Sequence, residues 1–199
     1  MPAAGCRPKR QPRCERTRAA AVPRLFVALR PPAPVRAALI DLMSGVENAR
    51  WQDETQLHLT LRFIGEVPPC EAEDVAAELG RVEMQPFSLT LRGVGHFERK
   101  GAQHALWAGV ADAGRLAVLH GRVESACRRA GCAPESRRFT PHVTLARLNR
   151  SAGPIGGWLA AHGAFASITW LVDHMLLYES QLTASGALYD PVFRYPLRG

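Results

Sequence analysis

The chain has 199 residues, 47% of them hydrophobic, and a formal net charge of +7. A chain of this length buries enough apolar surface to fold without disulfides or a structural metal, and no apolar run approaches the roughly 20 residues that span a membrane as a helix. The positive charge does not indicate a nucleic-acid-binding domain, because residues 1–24 hold seven basic residues and one acidic residue. The remaining 18 basic and 17 acidic residues leave positions 25–199 nearly neutral.

The N-terminal segment differs in composition from the rest of the chain. Residues 1–22 are basic, carry few large apolar groups and lack the apolar core of about 7–15 residues that a signal peptide has. We therefore expect a disordered extension over residues 1–22 and a single bilobal domain over residues 23–199. The five cysteines form no CxxC pair and no Cys/His ligand block, which favours reduced thiols in a cytoplasmic protein.

The first half predicts two strands, each followed by a helix. Apolar residues 24–29 ahead of two prolines predict a strand. Apolar positions at three- and four-residue steps from Val35 to Val46 predict a helix that begins near Pro34. A second strand is predicted over residues 57–64. The helix after it has an acidic first turn and is expected to end near Gly80.

The second half repeats this order of strands and helices. Strands are predicted over residues 87–91, 106–110, 138–148, 168–172 and 175–180, with a long helix ending near Gly131 and a short helix over residues 158–161. Because strands and helices mix without a regular βαβ repeat, the pattern predicts an α+β fold with antiparallel sheets. The matching halves predict two pseudo-symmetric lobes around a central cleft.

An internal repeat is the most informative feature of the sequence. Residues 57–61 (LHLTL) recur 84 positions later as residues 141–145 (PHVTL). On a strand, residues two apart point to the same face, so His58 and Thr60 share one face, as do His142 and Thr144. One such motif is typical of an ordinary half-buried strand, but two of them predict a cleft lined by two imidazoles and two hydroxyls. That cleft suits displacement at phosphorus by one proton acceptor and one proton donor, with the hydroxyls binding phosphate oxygens.

Four blocks of sequence resemble the two-histidine (2H) phosphoesterase superfamily, and within it the bacterial and archaeal RNA 2′,3′-cyclic phosphodiesterases, also called 2′-5′ RNA ligases. The resemblance covers residues 24–198. It rests on residues 24–29 (RLFVAL), 58–65 (HLTLRFIG), 139–147 (FTPHVTLAR) and 177–180 (LYES). It implies hydrolysis of RNA 2′,3′-cyclic phosphate ends to 2′-phosphomonoesters, with reversible 2′-5′ ligation as a further activity. It also implies that His58 is the proton donor and His142 the proton acceptor.

The same resemblance assigns phosphate binding to Arg147, five residues after the second histidine. Strict alternation along the strand disagrees, because it places Arg62 and Ala146 on the His/Thr face and Arg147 on the opposite face. A bulge or strand end near Ala146 would remove the conflict. Arg147 is therefore the expected phosphate-binding arginine, and Arg62 is the second candidate, with a solvated surface arginine as the alternative reading of Arg62.

Two other functions are compatible with the pattern. The first is a 2H phosphodiesterase that acts on another cyclic or 2′-5′-linked nucleotide, and the second is a non-catalytic module that binds RNA ends. No clustered metal ligands and no phosphate-binding loop are present, so we expect catalysis without a metal, ATP or any other cofactor. The other five histidines, among them His120 in a helical pattern, are expected to be structural or exposed. The expected partners are RNA or nucleotides with cyclic phosphate ends. We expect no membrane partner, and we expect the protein to be a monomer.

Overall fold

The computed structural model describes residues 22–99, 101–183 and 186–199. Apart from Val22, the predicted N-terminal extension lies outside the described residues. Within them the chain forms four α-helices, one 3-10 turn and ten strands. The helices are α1 (Ala33–Ile40), α2 (Pro69–Leu79), α3 (Gly114–Arg129) and α4 (Gly156–His162). The strands are β1 (Arg24–Leu29), β2 (Arg50–Trp51), β3 (Leu59–Glu66), β4 (Phe87–Leu89), β5 (Leu91–Arg99), β6 (Ala102–Val110), β7 (Val143–Arg147), β8 (Trp170–Val172), β9 (His174–Thr183) and β10 (Gly186–Pro196).

Eight of the strands form one antiparallel sheet in the order β10-β9-β1-β3-β7-β6-β5, and β2 pairs with β7 beside this path. Strands β4 and β8 form a separate antiparallel pair. The predicted α+β class with antiparallel sheets is therefore confirmed. The two predicted lobes correspond to two half-sheets, β10-β9-β1-β3 and β7-β6-β5, which join in the middle.

The two half-sheets meet at a single residue pair in the described structure, Leu59 opposite Val143. These two residues hold equivalent positions in the sequence repeat, so an approximate two-fold axis passes between them. Because the pair is antiparallel, the register brings His58 next to Thr144 and Thr60 next to His142. The four residues of the repeated motif thus lie around one point at the centre of the sheet.

The two faces of the sheet have different coverings. In β1, Leu25, Val27 and Leu29 are buried in the main core, whereas Phe26 and Ala28 belong to a smaller cluster on the other face. Apolar residues of all four helices pack into that main core, among them Val35, Leu39, Val75, Leu79, Leu116, Leu119, Val123 and Trp158. The helices therefore cover one face, and the His/Thr face is left for a cleft.

Several predicted boundaries were wrong. The strand expected over residues 138–148 is shorter and spans only Val143–Arg147, because residues 138–142 form the approach to the strand. The first helix ends at Ile40 rather than near Val46. Strands β2, β5 and β10 were not predicted, since the strand expected over residues 87–91 corresponds to β4. Strand β10 was missed because it is largely exposed and contains two prolines, so it lacks the apolar alternation of a half-buried strand.

Candidate active site

All five predicted site residues line one cleft of about 500 Å³ on the His/Thr face of the sheet: His58, Thr60, His142, Thr144 and Arg147. The two histidines stand just before β3 and β7, and each threonine is the second residue of its strand. Alternation then turns the intervening residues, Leu59 and Val143, into the core, where both are buried. The sequence repeat therefore becomes a pair of matching positions on either side of one cleft.

The two imidazoles are held in the same way. The Nδ1 of His58 lies 2.7 Å from the carbonyl oxygen of Gln56, and the Nδ1 of His142 lies 2.7 Å from the carbonyl oxygen of Thr140. A carbonyl oxygen only accepts, so Nδ1 carries the proton and donates it in both rings. Each neutral ring then has an unprotonated Nε2, which can accept a proton, and each cationic ring has an Nε2–H, which can donate one.

The cleft lowers the pKa of both histidines. Burial is the largest cause for His58 and brings its pKa to about 4, against the partial opposition of the hydrogen bond to the Gln56 carbonyl. The positive charges of His142 and Arg147 lower it further. Burial also lowers the pKa of His142, with a smaller contribution from Arg147 and an opposing one from the Thr140 carbonyl. Both histidines are therefore neutral at neutral pH while the cleft holds no anion.

Aromatic rings surround the two histidines, and most of them were not singled out from the sequence. The ring centroids of Phe26 and Tyr189 lie 4.9 and 5.1 Å from that of His58. His142 packs edge-on against Phe97, with centroids 4.7 Å apart. The signal was present for Phe26, since it alternates with the core residues of β1, but nothing in the sequence identified which face of that strand would meet the histidine.

A bulge in β7 resolves the conflict over Arg147. Thr144 pairs with Trp107 and Ala146 pairs with Leu106, so Leu145 has no partner in β6. The extra residue reverses the alternation beyond it, and Arg147 returns to the face that carries His142 and Thr144. The first motif has the same irregularity: Thr60 pairs with Ala28 and Arg62 with Val27, so Leu61 is the unpaired residue. The residue equivalent to Arg147 is therefore Phe63, not Arg62.

Arg62 has a different environment from either sequence-based reading. Its side chain is only 6% exposed, and its guanidinium lies 2.7 Å from a Glu124 carboxylate oxygen and 3.1 Å from a Glu135 oxygen. It also donates to the backbone carbonyls of Phe63 and Ala133. A side-chain hydrogen bond from Arg137 lowers the pKa of Glu135 to about 2, so this carboxylate stays ionised beside Arg62. Arg62 thus ties β3 to α3 and the following loop, and its guanidinium is already paired with two carboxylates and two backbone carbonyls.

Further cationic groups lie along the cleft. Arg24 stands over the Phe63 ring, with its guanidinium carbon 4.9 Å from the ring centroid, and Arg137 and Arg138 also line the cleft. Arg137 forms an ion pair with Glu135 at 2.8 Å. In the described part of the chain, no group of three or more His, Cys, Asp or Glu side chains is arranged to hold a metal ion. No described helix combines the length and apolar character needed to cross a membrane.

The chain is similar to proteins of one family. A family model described as the 2′-5′ RNA ligase superfamily matches residues 24–183. The RNA 2′,3′-cyclic phosphodiesterase of Thermus thermophilus is 34% identical over 190 residues, which cover 88% of this chain and 91% of that protein. The enzyme of the same name from Geobacillus stearothermophilus is 30% identical over 80% of this chain, which spans 51% of that longer protein.

A solved structure agrees with these sequence relatives. The crystal structure of Escherichia coli LigT complexed with 3′-AMP superimposes with a TM-score of 0.74 at 29% sequence identity. The match covers 89% of this chain and 99% of LigT. The family model, the curated relatives and the solved fold thus all cover the strands that carry His58 and His142. The chain belongs to the 2′-5′ RNA ligase superfamily.

Proposed function

We propose that this protein hydrolyses the 2′,3′-cyclic phosphate ends of RNA to 2′-phosphomonoesters by acid–base catalysis between two histidines. The observation that carries the proposal is the matched pair of imidazoles, each with Nδ1 fixed by a carbonyl and each lining the same cleft as a threonine. A binding module needs no pair of titratable groups held in this way. The relatives named above as RNA 2′,3′-cyclic phosphodiesterases support the same reaction and substrate class.

The reaction needs one proton acceptor and one proton donor. Neutral His142 takes a proton through Nε2 from a water molecule as the water oxygen attacks phosphorus. Cationic His58 gives its Nε2 proton to the leaving 3′ oxygen as the bond between phosphorus and that oxygen breaks. The phosphate stays on the 2′ oxygen, and the protonation states of the two rings are then exchanged, so proton exchange with solvent resets the site. The order of the two roles follows the family resemblance.

Three further residues would hold the phosphate. The Thr60 and Thr144 hydroxyls line the cleft beside the histidines, where they can donate to non-bridging phosphate oxygens as negative charge develops. Arg147 adds a permanent positive charge on the side of His142, and the bulge at Leu145 supports this role because it turns Arg147 into the cleft. Arg62 is not part of this proposal, since its guanidinium is already paired with the carboxylates of Glu124 and Glu135.

The substrate itself supplies the charge that makes His58 an acid. In the empty cleft burial holds the pKa of His58 at about 4, which leaves the ring neutral at pH 7. A bound cyclic phosphate carries one negative charge, and an anion within about 4–6 Å favours the cationic form of an imidazole. We therefore expect substrate binding to raise the pKa of His58, so that the proton donor forms mainly in the complex.

We also propose the cofactor requirement, the oligomeric state and the compartment of the enzyme. It acts without a metal or other cofactor, as a cytoplasmic monomer, through residues 23–199. The free thiols of Cys70, Cys127 and Cys132 suit a reducing compartment. The continuous sheet supports one domain. Sedimentation of the purified protein tests the monomer, and full turnover in the presence of EDTA tests metal independence.

Turnover of 2′,3′-cyclic AMP is the direct test. We expect 2′-AMP as the product, which chromatography separates from 3′-AMP, and a bell-shaped dependence of kcat on pH because one histidine must be protonated and the other neutral. A panel of 2′-5′-linked dinucleotides and 3′,5′-cyclic nucleotides, measured alongside, tests the substrate class. Preference for one of those over the 2′,3′-cyclic phosphate would replace the proposed substrate, and no turnover of any of them would leave an RNA-end binding module.

A further inference from the structure

The bulges in the two His-x-Thr strands are stabilised by different groups. A bulged residue has no partner across the ladder, so its backbone carbonyl needs another hydrogen-bond donor. At Leu145 that donor is the backbone N–H of Gln52, 2.8 Å from the carbonyl oxygen. At Leu61 it is a side chain: the Nδ1 of His120 lies 2.8 Å from the carbonyl oxygen. The first motif therefore depends on a side chain from α3 where the second uses the main chain.

The same imidazole also contacts the segment that leads to the second motif. The His120 ring stacks on Phe139, with centroids 4.0 Å apart and planes inclined by 1°. Phe139 is followed by Thr140, whose carbonyl oxygen accepts the Nδ1–H of His142. One ring thus touches the strand that continues from His58 and the segment that orients His142, and it also lines the cleft between them.

Helix α3 is a rigid support for this ring. Leu119 and Val123, which flank His120 on the helix, are fully buried. One turn after His120, Glu124 forms the 2.7 Å ion pair with Arg62, the residue that follows the bulged Leu61. Residues four apart lie on the same helix face, so α3 contacts the bulge at two adjacent points. A shift of the ring is therefore transmitted directly to the backbone between Thr60 and Phe63.

We infer that His120 is a positioning residue for both catalytic histidines. It donates to the Leu61 carbonyl and so fixes the bulge that aims the first motif, and its stacking on Phe139 fixes the approach to the second. It exchanges no proton with the substrate. The inference rests on the proposed function, because positioning matters for rate only where both imidazoles act on one phosphate, for which a misplacement of about 1 Å costs on the order of 10²-fold.

Three substitutions at the same position separate the donor from the ring. His120→Asn keeps an N–H near the place of Nδ1, His120→Phe keeps the stacking surface without a donor, and His120→Leu removes both. We expect the Phe and Leu variants to lower kcat for 2′,3′-cyclic AMP by about 10- to 100-fold, the range that small misplacements produce. KM should stay near the wild-type value in all three variants. His120→Asn keeps the donor but loses the stacking, so it should lower kcat less than His120→Leu.

Val123→Ala is the matched control, because it empties part of the core under the same helix without touching either motif. It should lower Tm but leave kcat unchanged at a temperature well below Tm. If Val123→Ala lowers kcat as much as His120→Leu, or if His120→Phe has wild-type kcat, His120 has only a structural role and the inference is wrong.

A second readout does not depend on turnover. The imidazole ¹⁵N resonances of His58 should move in the Phe and Leu variants, which lack the donor to Leu61. Those of His142 should move in the Asn and Leu variants, which lack the stacking on Phe139. Both sets should stay in place in Val123→Ala. Unmoved resonances of both histidines in His120→Leu would overturn the inference. Wild-type protein without turnover would overturn the proposed function instead, while the resonances would still report whether His120 positions the two rings.

Discussion

The two motifs of the cleft share a backbone and differ in the side chains around it. Each has a histidine fixed through Nδ1, a threonine two residues later and a bulge at the next residue, Leu61 in one and Leu145 in the other. Beyond the bulges the equivalence ends, because Phe63 occupies the position that Arg147 holds in the second motif. The repeated part of the sequence therefore sets geometry, and the unrepeated part sets charge and solvation.

This difference gives the two imidazoles unequal environments. His58 lies among Phe26, Tyr178 and Tyr189, and burial dominates its low pKa. His142 is closer to solvent and packs on Phe97. A symmetric cleft would hold two equal bases, whereas the proposed reaction needs one donor and one acceptor. Burial by itself favours the neutral form of His58, so its role as proton donor depends on the negative charge of the bound phosphate.

The largest expected effect comes from the histidines themselves. His58→Ala and His142→Ala should each lower kcat for 2′,3′-cyclic AMP by about 10²–10⁴, the usual loss for an acid–base group. An ester of a nucleotide with 4-nitrophenol then distinguishes the two, because its leaving group needs no proton. On that substrate the kcat of His58→Ala should be close to that of the wild-type protein, whereas the kcat of His142→Ala should stay low.

The opposite recovery would exchange the two roles, and near-normal activity of either variant on 2′,3′-cyclic AMP would remove that histidine from the mechanism. Circular dichroism at far-ultraviolet wavelengths checks that both variants remain folded. Both side chains lie on the cleft face, outside the main core, so the fold should survive either change.

The second largest effect is expected at Arg147, two residues after the bulged Leu145. Arg147→Met should lower kcat/KM by about 10- to 100-fold, since hydrogen bonds to charged groups contribute roughly 1.5–3 kcal/mol. It should also weaken inhibition by inorganic phosphate. Phe63→Leu, at the equivalent place in the first motif, should change kcat/KM by less than about tenfold, because it replaces one apolar side chain by another. Equal losses in the two variants would show that the two halves contribute equally to phosphate binding.

The unequal burial of the histidines should appear as a difference in acid stability. The folded-state pKa of His58, about 4, lies below its ordinary value of 6.5, so the unfolded chain binds the proton more tightly. This contribution to the free energy of unfolding is complete above pH 6.5 and is lost as the pH falls toward 4. The loss should reach about 2 kcal/mol at pH 5.

Urea titrations at pH 7.5 and pH 5 measure this term. The free energy of unfolding should fall less between the two values in His58→Gln than in the wild-type protein. His142→Gln should give a smaller change of the same sign, because His142 is less enclosed. An identical pH dependence in His58→Gln and the wild-type protein would mean that burial does not hold the pKa of His58 down.

Much of the geometry of the cleft could be predicted from the sequence, because it follows from period-two alternation around a repeated motif. His58, Thr60, His142 and Thr144 come together because each pair shares a strand face, and that face follows from the apolar residues between them. The fold class could be predicted for the same reason. Strand β10 could not, since its exposed residues carry no alternation of apolar and polar side chains.

The two bulges could not be predicted from the local sequence alone. A bulge near Ala146 was needed to bring Arg147 into the cleft, and it was expected only because the resemblance and the alternation disagreed. The matching bulge at Leu61 had no such conflict to reveal it, so Arg62 remained a candidate for phosphate binding. Its carboxylate partners, Glu124 and Glu135, are more than 60 residues away in sequence, and only the tertiary fold brings them to Arg62. The contacts of His120 with Leu61 and Phe139 likewise arise only from the tertiary fold.

The smallest expected effect concerns the two threonines, which are the most nearly equivalent groups of the cleft. Thr60→Val and Thr144→Val replace a hydroxyl by a methyl group of similar size on strands that favour β-branched residues, so folding should be unaffected. Each should lower kcat by about 2- to 10-fold, the range for a neutral hydrogen bond worth roughly 0.5–1.5 kcal/mol. The loss at Thr60 should be the larger, because the first motif has Phe63 where the second still has Arg147 to hold the phosphate.

Thr90→Val is the control, since the Thr90 hydroxyl bonds to Thr169 away from the cleft. This variant should leave kcat unchanged. If Thr144→Val costs as much as Thr60→Val, then Arg147 and Thr144 contact different phosphate oxygens and neither compensates for the other.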